Sequence, residues 1–408
     1  MSRVADRVLG RICYSSDVEV EGMWHGYLVR SPHAHATVDR LDMSKVPPGV
    51  VVLGAEDVAD LRPRYGPWFE DQPIVAIDRV RHVGDVVAAV AAPTYEEAVA
   101  AAGLIDVDYT PLPAVFDAVE AAQPRAPLVH ESVRVSDNYS NFYDLRPVQA
   151  SNVAHRFRLR SGRGVDGFDE AEVVVEDYYT TAGANHLPLE PHATTAWWRD
   201  GQLTVVSGTQ TPFNNREALA KLFGLAQDQV TVRVAPMGGS FGSKTFLRLE
   251  PVVAALARKV GRPVRVVCTR EEVFATLNRH PSVLHLRLGA KRDGRLVAKQ
   301  IRAWWDTGAY ADSGPGVAEK GGYAAIGPYR IPHVSVESLC VYTNLPPNGA
   351  FRGYAATQAV WACEQLMDAL ADQLGIDPLE LRLQNILEDG DTFATGEVMH
   401  NVRFKECL

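Results

Sequence analysis

Cysteine is scarce and scattered: five residues (Cys13, Cys268, Cys340, Cys363 and Cys407) among 408, with no Cys-x-x-Cys pair. An odd, widely spaced set describes neither a disulfide framework nor a zinc or iron-sulfur site, so any redox centre has to come from elsewhere. Positive charge is also in deficit, 41 Lys+Arg against 50 Asp+Glu for a net charge of −9. That balance argues against nucleic acid and against an anionic membrane surface as partners. No apolar run reaches the roughly eighteen residues that span a bilayer. The first ten residues carry Arg3, Asp6 and Arg7 without the apolar core of a signal peptide, and a cytoplasmic location is therefore expected. Internal repeats and low-complexity tracts are missing, as are the Gly-x-Ser-x-Gly elbow, the His-Glu-x-x-His zinc helix and the Gly-x-Gly-x-x-Gly dinucleotide turn. What is present is 46% hydrophobic and 22% charged sequence, enough for two or three cored domains.

Periodicity divides the chain. Residues 1–122 read as an α/β unit, with strands over 83–91 and 105–109 around a helix over 95–102 that follows Pro93-Thr94, a plausible cap. Over 123–167 the pattern fades into Pro, Asn, Ser, Gly and Arg, and Tyr139, Phe142 and Tyr143 suggest a strap lying on protein. Residues 168–408 resume with strands over 172–178, 203–207, 229–234, 263–268, 283–288 and 334–341, where Leu284, Leu286 and Leu288 share one face. A long helix over 358–374 stops at Gly375, and Asp377-Pro378-Leu379-Glu380 caps the next one.

Three motifs carry candidate chemistry. Gly238-Gly239-Ser240-Phe241-Gly242-Ser243-Lys244 follows a strand and precedes a helical stretch expected over 246–260, an arrangement that offers backbone N–H groups to an anion. A nucleotide P-loop is its rival, yet Ser243 stands where that motif needs Gly before the lysine. A turn built for packing is the plainer alternative. In Asn348-Gly349-Ala350-Phe351-Arg352-Gly353-Tyr354, Arg352 offers its fork of donors to an oxyanion, or forms an ordinary ion pair. The third, His186-Leu187-Pro188-Leu189-Glu190-Pro191-His192, holds possible metal ligands, but its prolines break helical spacing and favour structural roles. Structural roles are also expected for His33 and His35, at a loop-to-strand transition.

Taken in order, these motifs resemble the molybdenum hydroxylases, the xanthine dehydrogenase and aldehyde oxidase family, in the subunit that binds molybdopterin. Val29-Arg30-Ser31-Pro32-His33-Ala34-His35, His186 to Pro191, Gln210, Gly238 to Lys244, Asp306-Thr307-Gly308-Ala309-Tyr310 and Ala350-Phe351-Arg352-Gly353 follow in family order. The resemblance implies an α+β chain, an N-terminal α/β hammerhead domain followed by the first molybdopterin-binding domain. It further implies that Gln210, Gly239, Phe241, Gly242, Ala350, Phe351 and Arg352 surround the cofactor, with Gln210, Phe241 and Arg352 near the molybdenum without ligating it. Gln210 would be the catalytic-site amide. One amide and several N–H donors suit a centre rich in acceptor oxygens, and the pterin supplies the sulfur ligands that the cysteines do not. The reaction implied is hydroxylation of an N-heterocyclic aromatic, nicotinate-like or purine-like, or of an aldehyde, with water-derived oxygen.

The family's one-piece members continue past the position of Leu408 with more of the pterin pocket and a general-base glutamate. The resemblance is therefore to the split type found in nicotinate dehydrogenase, of which this chain is similar to the large molybdopterin subunit. A second molybdopterin subunit, an iron-sulfur subunit with [2Fe-2S] and an FAD subunit are the implied partners, and the cytosine dinucleotide form of the pterin is the implied cofactor. A truncated one-piece subunit and a non-catalytic scaffold subunit are the alternatives. Asn348-Gly349-Ala350 lacks the cysteine of the carbon monoxide enzymes, while Thr245 and Lys320 replace the glutamate and arginine of the xanthine enzymes. Tyr354 and Lys320 are accordingly the expected substrate contacts, one stacking on a flat ring and the other pairing with a carboxylate.

Overall fold

The computed structural model describes residues 3–136 and 150–408. Two sheets carry most of it. The larger runs Val230–Val234, Gln202–Ser207, Ala193–Arg199, Val264–Val267, Trp24–Arg30, Val86–Ala92, Val51–Leu53 in spatial order. Its centre joins distant parts of the chain, because Trp24–Arg30 pairs in parallel with Val264–Val267 and antiparallel with Val86–Ala92. The close approach depends on Gly26, where a side chain would press on Val266 and Leu256. The second sheet has the order Val173–Thr181, Ser282–Ala290, Leu296–Gly308, His333–Tyr342, Val153–Ser161. Helices cover both, so the chain has the α+β character expected of it.

Local chemistry explains the elements that the sequence marked. Helix Tyr95–Ala102 begins at a reciprocal cap: the Glu97 N–H donates to the Thr94 hydroxyl at 3.2 Å, and the Thr94 N–H donates to Glu97 at 3.1 Å. Helix Ala356–Leu374 buries Ala359, Ala362, Cys363, Leu366, Met367, Leu370 and Ala371, the three-and-four spacing of one face, and ends at Gly375 with φ +68°. Asp377 then accepts from the N–H groups of Leu379 and Glu380 to start Pro378–Asn385. Leu284, Leu286 and Leu288 are all fully buried against that long helix's core, each burial worth about 1.5–3 kcal/mol.

Several expectations change. Helix Glu250–Val260 starts four residues later than expected from the pattern, because the Phe246 N–H donates to the Thr211 hydroxyl at 2.9 Å and Phe246 sits at φ +61°. The glycine motif therefore ends in turns and not at a helix N-terminus. The thirteen-residue strand Leu296–Gly308 was not expected at all. Nor was Val153–Ser161, which falls inside the strap of 123–167 and pairs antiparallel with His333–Tyr342. Its polar alternates are Arg156, Arg158 and Arg160. Tyr139, Phe142 and Tyr143 lie outside the described residues.

Candidate cofactor-binding site

Three two-residue strands, Ala184–Asn185, Asn278–Arg279 and Asn348–Gly349, form a small sheet of their own. It brings the ends of the His186 and Ala350 loops to one place. The glycine loop closes against them. Gly239, Phe241 and Gly242 have φ of +109°, +57° and +113°, and a Cβ on Gly242 would collide with the Ala350 carbonyl. The Arg352 N–H donates to the Phe241 carbonyl at 2.9 Å. Phe241 is half exposed in a backbone conformation that costs a non-glycine residue about 1–3 kcal/mol, a combination characteristic of functional loops.

Gln210 meets the same loop. Its N–H donates to the Lys244 carbonyl at 2.8 Å, and its side-chain oxygen accepts from the hydroxyls of Ser240 and Thr245. Two hydroxyl donors on Oε1 fix the amide orientation and leave the Nε2 donors without a protein acceptor among the described residues. The N–H groups of Gly239 to Gly242 likewise have none, and the exposed Arg352 guanidinium faces no carboxylate. The ion pair considered for Arg352 is thus absent among the described residues. His186 supports this side: its Nε2 donates to the Ala350 carbonyl at 2.8 Å, its ring packs at 4.5 Å from Phe351, and burial holds it below the usual imidazole range.

The lysine of the glycine motif is turned inward. Lys244 Nζ donates to Glu190 Oε2 at 2.6 Å and to the Glu190 carbonyl at 3.1 Å, both side chains being buried. It has nothing to offer a phosphate, which removes the P-loop reading. Burial alone would raise the Glu190 carboxyl, but donors from Lys244, Ser15 and Gly238 together hold it below the usual range. His192 donates to the Ser243 carbonyl at 3.1 Å and is pushed down to about 3 by burial. No cluster of metal-ligating side chains occurs among the described residues, so the structural roles expected for His186, Glu190 and His192 stand.

Tyr354, at φ +47°, donates its hydroxyl to the Ser313 carbonyl at 3.2 Å beside helix Gly314–Ala324. Lys320, on that helix, is exposed with its ammonium 5.5 Å above the Tyr323 ring, and no contact joins it to Gln210 or Arg352. Glu319 pairs with His155 at 3.2 Å. The structure thus gathers Gln210, Gly239, Phe241, Gly242, Ala350, Phe351 and Arg352, places Tyr354 next to them, and leaves Lys320 apart. Sequence reasoning missed Ser240, Thr245 and a cleft of about 440 Å³ lined by Tyr65, Asp71, Asn214, Phe246, Arg248 and Asp312. Asn214 lies one turn beyond Gln210. Arg248 pairs with Asp312 at 2.7 Å, while Arg248 Nη2 and Asp71 Oδ1 are buried without protein partners. Burial pushes the Asp71 carboxyl up to about 7. Tyr65 and Asp71 come from the N-terminal unit, so no local spacing announces them.

A donor-rich, carboxylate-free junction between two glycine loops fits an acceptor-rich prosthetic group, and Gly242 keeps that cradle open. The fold and junction define the class as a protein that holds such a group at the meeting of distant loops. Residues 145–386 match the family model described as a molybdopterin cofactor-binding domain, and residues 9–113 match that of the aldehyde oxidase and xanthine dehydrogenase a/b hammerhead domain. The chain belongs to the xanthine dehydrogenase and aldehyde oxidase family, in its molybdopterin-binding part. It is 36% identical to a probable xanthine dehydrogenase subunit of Bacillus subtilis, over 97% of this chain and 51% of that protein. It is 33% identical to the nicotinate dehydrogenase large molybdopterin subunit of Eubacterium barkeri, over 97% and 90% respectively. Among solved structures it resembles the aldehyde oxidoreductase of Desulfovibrio gigas, with a TM-score of 0.87 and 30% identity over 96% of this chain and 43% of the other. The chain thus spans about half the length of some curated relatives and nearly all of another.

Proposed function

We propose that this chain holds molybdopterin, in its cytosine dinucleotide form, within a multi-subunit enzyme that hydroxylates an N-heterocyclic aromatic or an aldehyde. The observation that carries the reading is the Arg352 N–H on the Phe241 carbonyl, which fixes two donor-rich loops side by side. When bound, the cofactor supplies the metal centre at which substrate is oxidised with water-derived oxygen. Gln210 then offers a pre-oriented amide, the Gly239 to Gly242 main chain offers N–H donors, and Arg352 with Ala350 and Phe351 closes the opposite side. Preset donors of this kind need no reorganisation when charge develops next to them.

The cleft beside Gln210 is the proposed substrate site, with Phe246 and Tyr65 as its flat walls and Tyr354 at its far side. We assign Lys320 a lesser place there than Arg248, whose guanidinium lines the cleft. The hammerhead unit of residues 1–122, the 123–167 connection and the 168–408 cofactor unit are the proposed division. A second molybdopterin subunit carrying the general-base glutamate, an iron-sulfur subunit with [2Fe-2S] and an FAD subunit are the proposed partners. Match to almost the whole of a large molybdopterin subunit supports that arrangement. So do the highly exposed Leu189 and Phe213, which flank the donor-rich loops. No helix among the described residues is long and apolar enough to cross a membrane, and a cytoplasmic complex is proposed. Purification of the tagged chain from its native host tests this: co-purification of the three partner types with turnover of a heterocycle or aldehyde is expected, and a chain that stays alone and inert overturns it.

A further inference from the structure

Glu190 is a bridge between two parts of the chain that are far apart in sequence. Its Oε1 accepts from the Ser15 N–H at 3.0 Å and from the Ser15 hydroxyl. Its Oε2 accepts from the Gly238 N–H at 2.9 Å and from Lys244 Nζ at 2.6 Å. Ser15 is fully buried on a short turn that is itself pinned, since the Tyr14 N–H donates to Asp17 at 2.9 Å and Arg265 donates to the Val18 carbonyl at 3.0 Å. Gly238 has no room for a side chain, because a Cβ would stand 2.6 Å from Glu190 Cβ.

The same lysine governs Gln210. The Lys244 carbonyl accepts from the Gln210 N–H at 2.8 Å, and the Lys244 N–H donates to the Ser240 hydroxyl at 3.2 Å, which in turn donates to the Gln210 side chain. Both the backbone and the amide of Gln210 are therefore set by a residue whose own position is set by Glu190. The Glu190 carboxylate gets half of its donors from Ser15. Deep inside protein a carboxylate with four donors is held in one geometry, and losing a donor loosens the rest of the network.

We infer that Ser15 is a positioning residue for the cofactor site, acting through Glu190 and Lys244 on Gln210 and the Gly239 to Gly242 loop. The inference rests on the functional reading above. Ser15→Ala keeps the main-chain N–H bond to Glu190, so the fold survives and only the hydroxyl bond is lost. In the assembled complex, Ser15→Ala is expected to lower kcat about tenfold with KM within about twofold, and to reduce retained molybdenum after dialysis. Hydrogen exchange is expected to quicken in peptides covering 208–211 and 238–245, and Ser15→Thr, which keeps a hydroxyl, restores all three. Faster exchange confined to 10–18, with kcat and molybdenum unchanged, overturns the inference. A wild-type complex without molybdenum overturns the functional reading instead, and the exchange arm still decides whether Ser15 controls the loop.

Discussion

The carbonyl of Phe241 accepts the N–H of Arg352 at 2.9 Å, across 111 residues of sequence. Neither loop is regular structure, and each carries positive φ at a non-glycine residue, Phe241 in one and Tyr354 in the other. The bond converts two strained loops into one surface.

Gly242→Ala tests that surface through sterics. The added methyl meets the Ala350 carbonyl, and φ of +113° is costly for any residue with a Cβ. Separation of the loops and loss of most bound cofactor are expected, with a stability penalty of about 1–3 kcal/mol from the backbone alone. Urea unfolding and metal analysis of the same preparation check it.

Gln210→Ala and Arg352→Ala remove donors without disturbing the core, because both side chains are exposed. Turnover is expected to fall by roughly an order of magnitude or more in each while the complex still assembles. Steady-state kinetics and size-exclusion chromatography measure the two halves of that statement.

The Glu190 and Lys244 pair sets a sign for acid stability. The folded Glu190 carboxyl lies below its usual 4.5, so its contribution is complete above that pH and is lost as pH falls through the depressed value. Lys244→Met leaves the carboxylate buried without its cation, and a loss of about 3–5 kcal/mol is expected at neutral pH. Chemical denaturation at pH 7 and pH 4 checks both, the variant differing less from wild type in acid.

Asp71 works in the opposite direction. Burial raises its carboxyl to about 7 from 3.8, so the folded state holds the proton more tightly and stability declines as pH rises between those values. Asp71→Asn is expected to flatten part of that slope, measured by thermal unfolding across pH 4 to 8, while Asp306, also raised to about 7 by burial, keeps the remainder.

Much of the helix content was legible because its signals are local. Thr94 with Glu97, Gly375 and Asp377 are caps that act within four residues, and Leu284, Leu286 and Leu288 show a period of two. Leu296–Gly308 escaped because Lys299, Gln300 and Arg302 interrupt an apolar run. The fully buried Lys299 is accommodated only by the Ile326 carbonyl at 3.1 Å and Cys363 at 2.8 Å, partners that tertiary packing supplies. The two glycine loops were readable as motifs. Their contact was not, since two-residue strands such as Asn348–Gly349 have no periodicity. Ser15 and Asp71 act on groups that lie more than a hundred residues away, and no neighbour in sequence marks either of them.

The most direct test of a molybdopterin site in this chain is the molybdenum and pterin content of the purified, active complex, with Gly242→Ala prepared in parallel. About one molybdenum and one pterin per chain is expected for the wild type, with most of both lost in the variant. An active wild-type complex that contains neither would contradict the assignment.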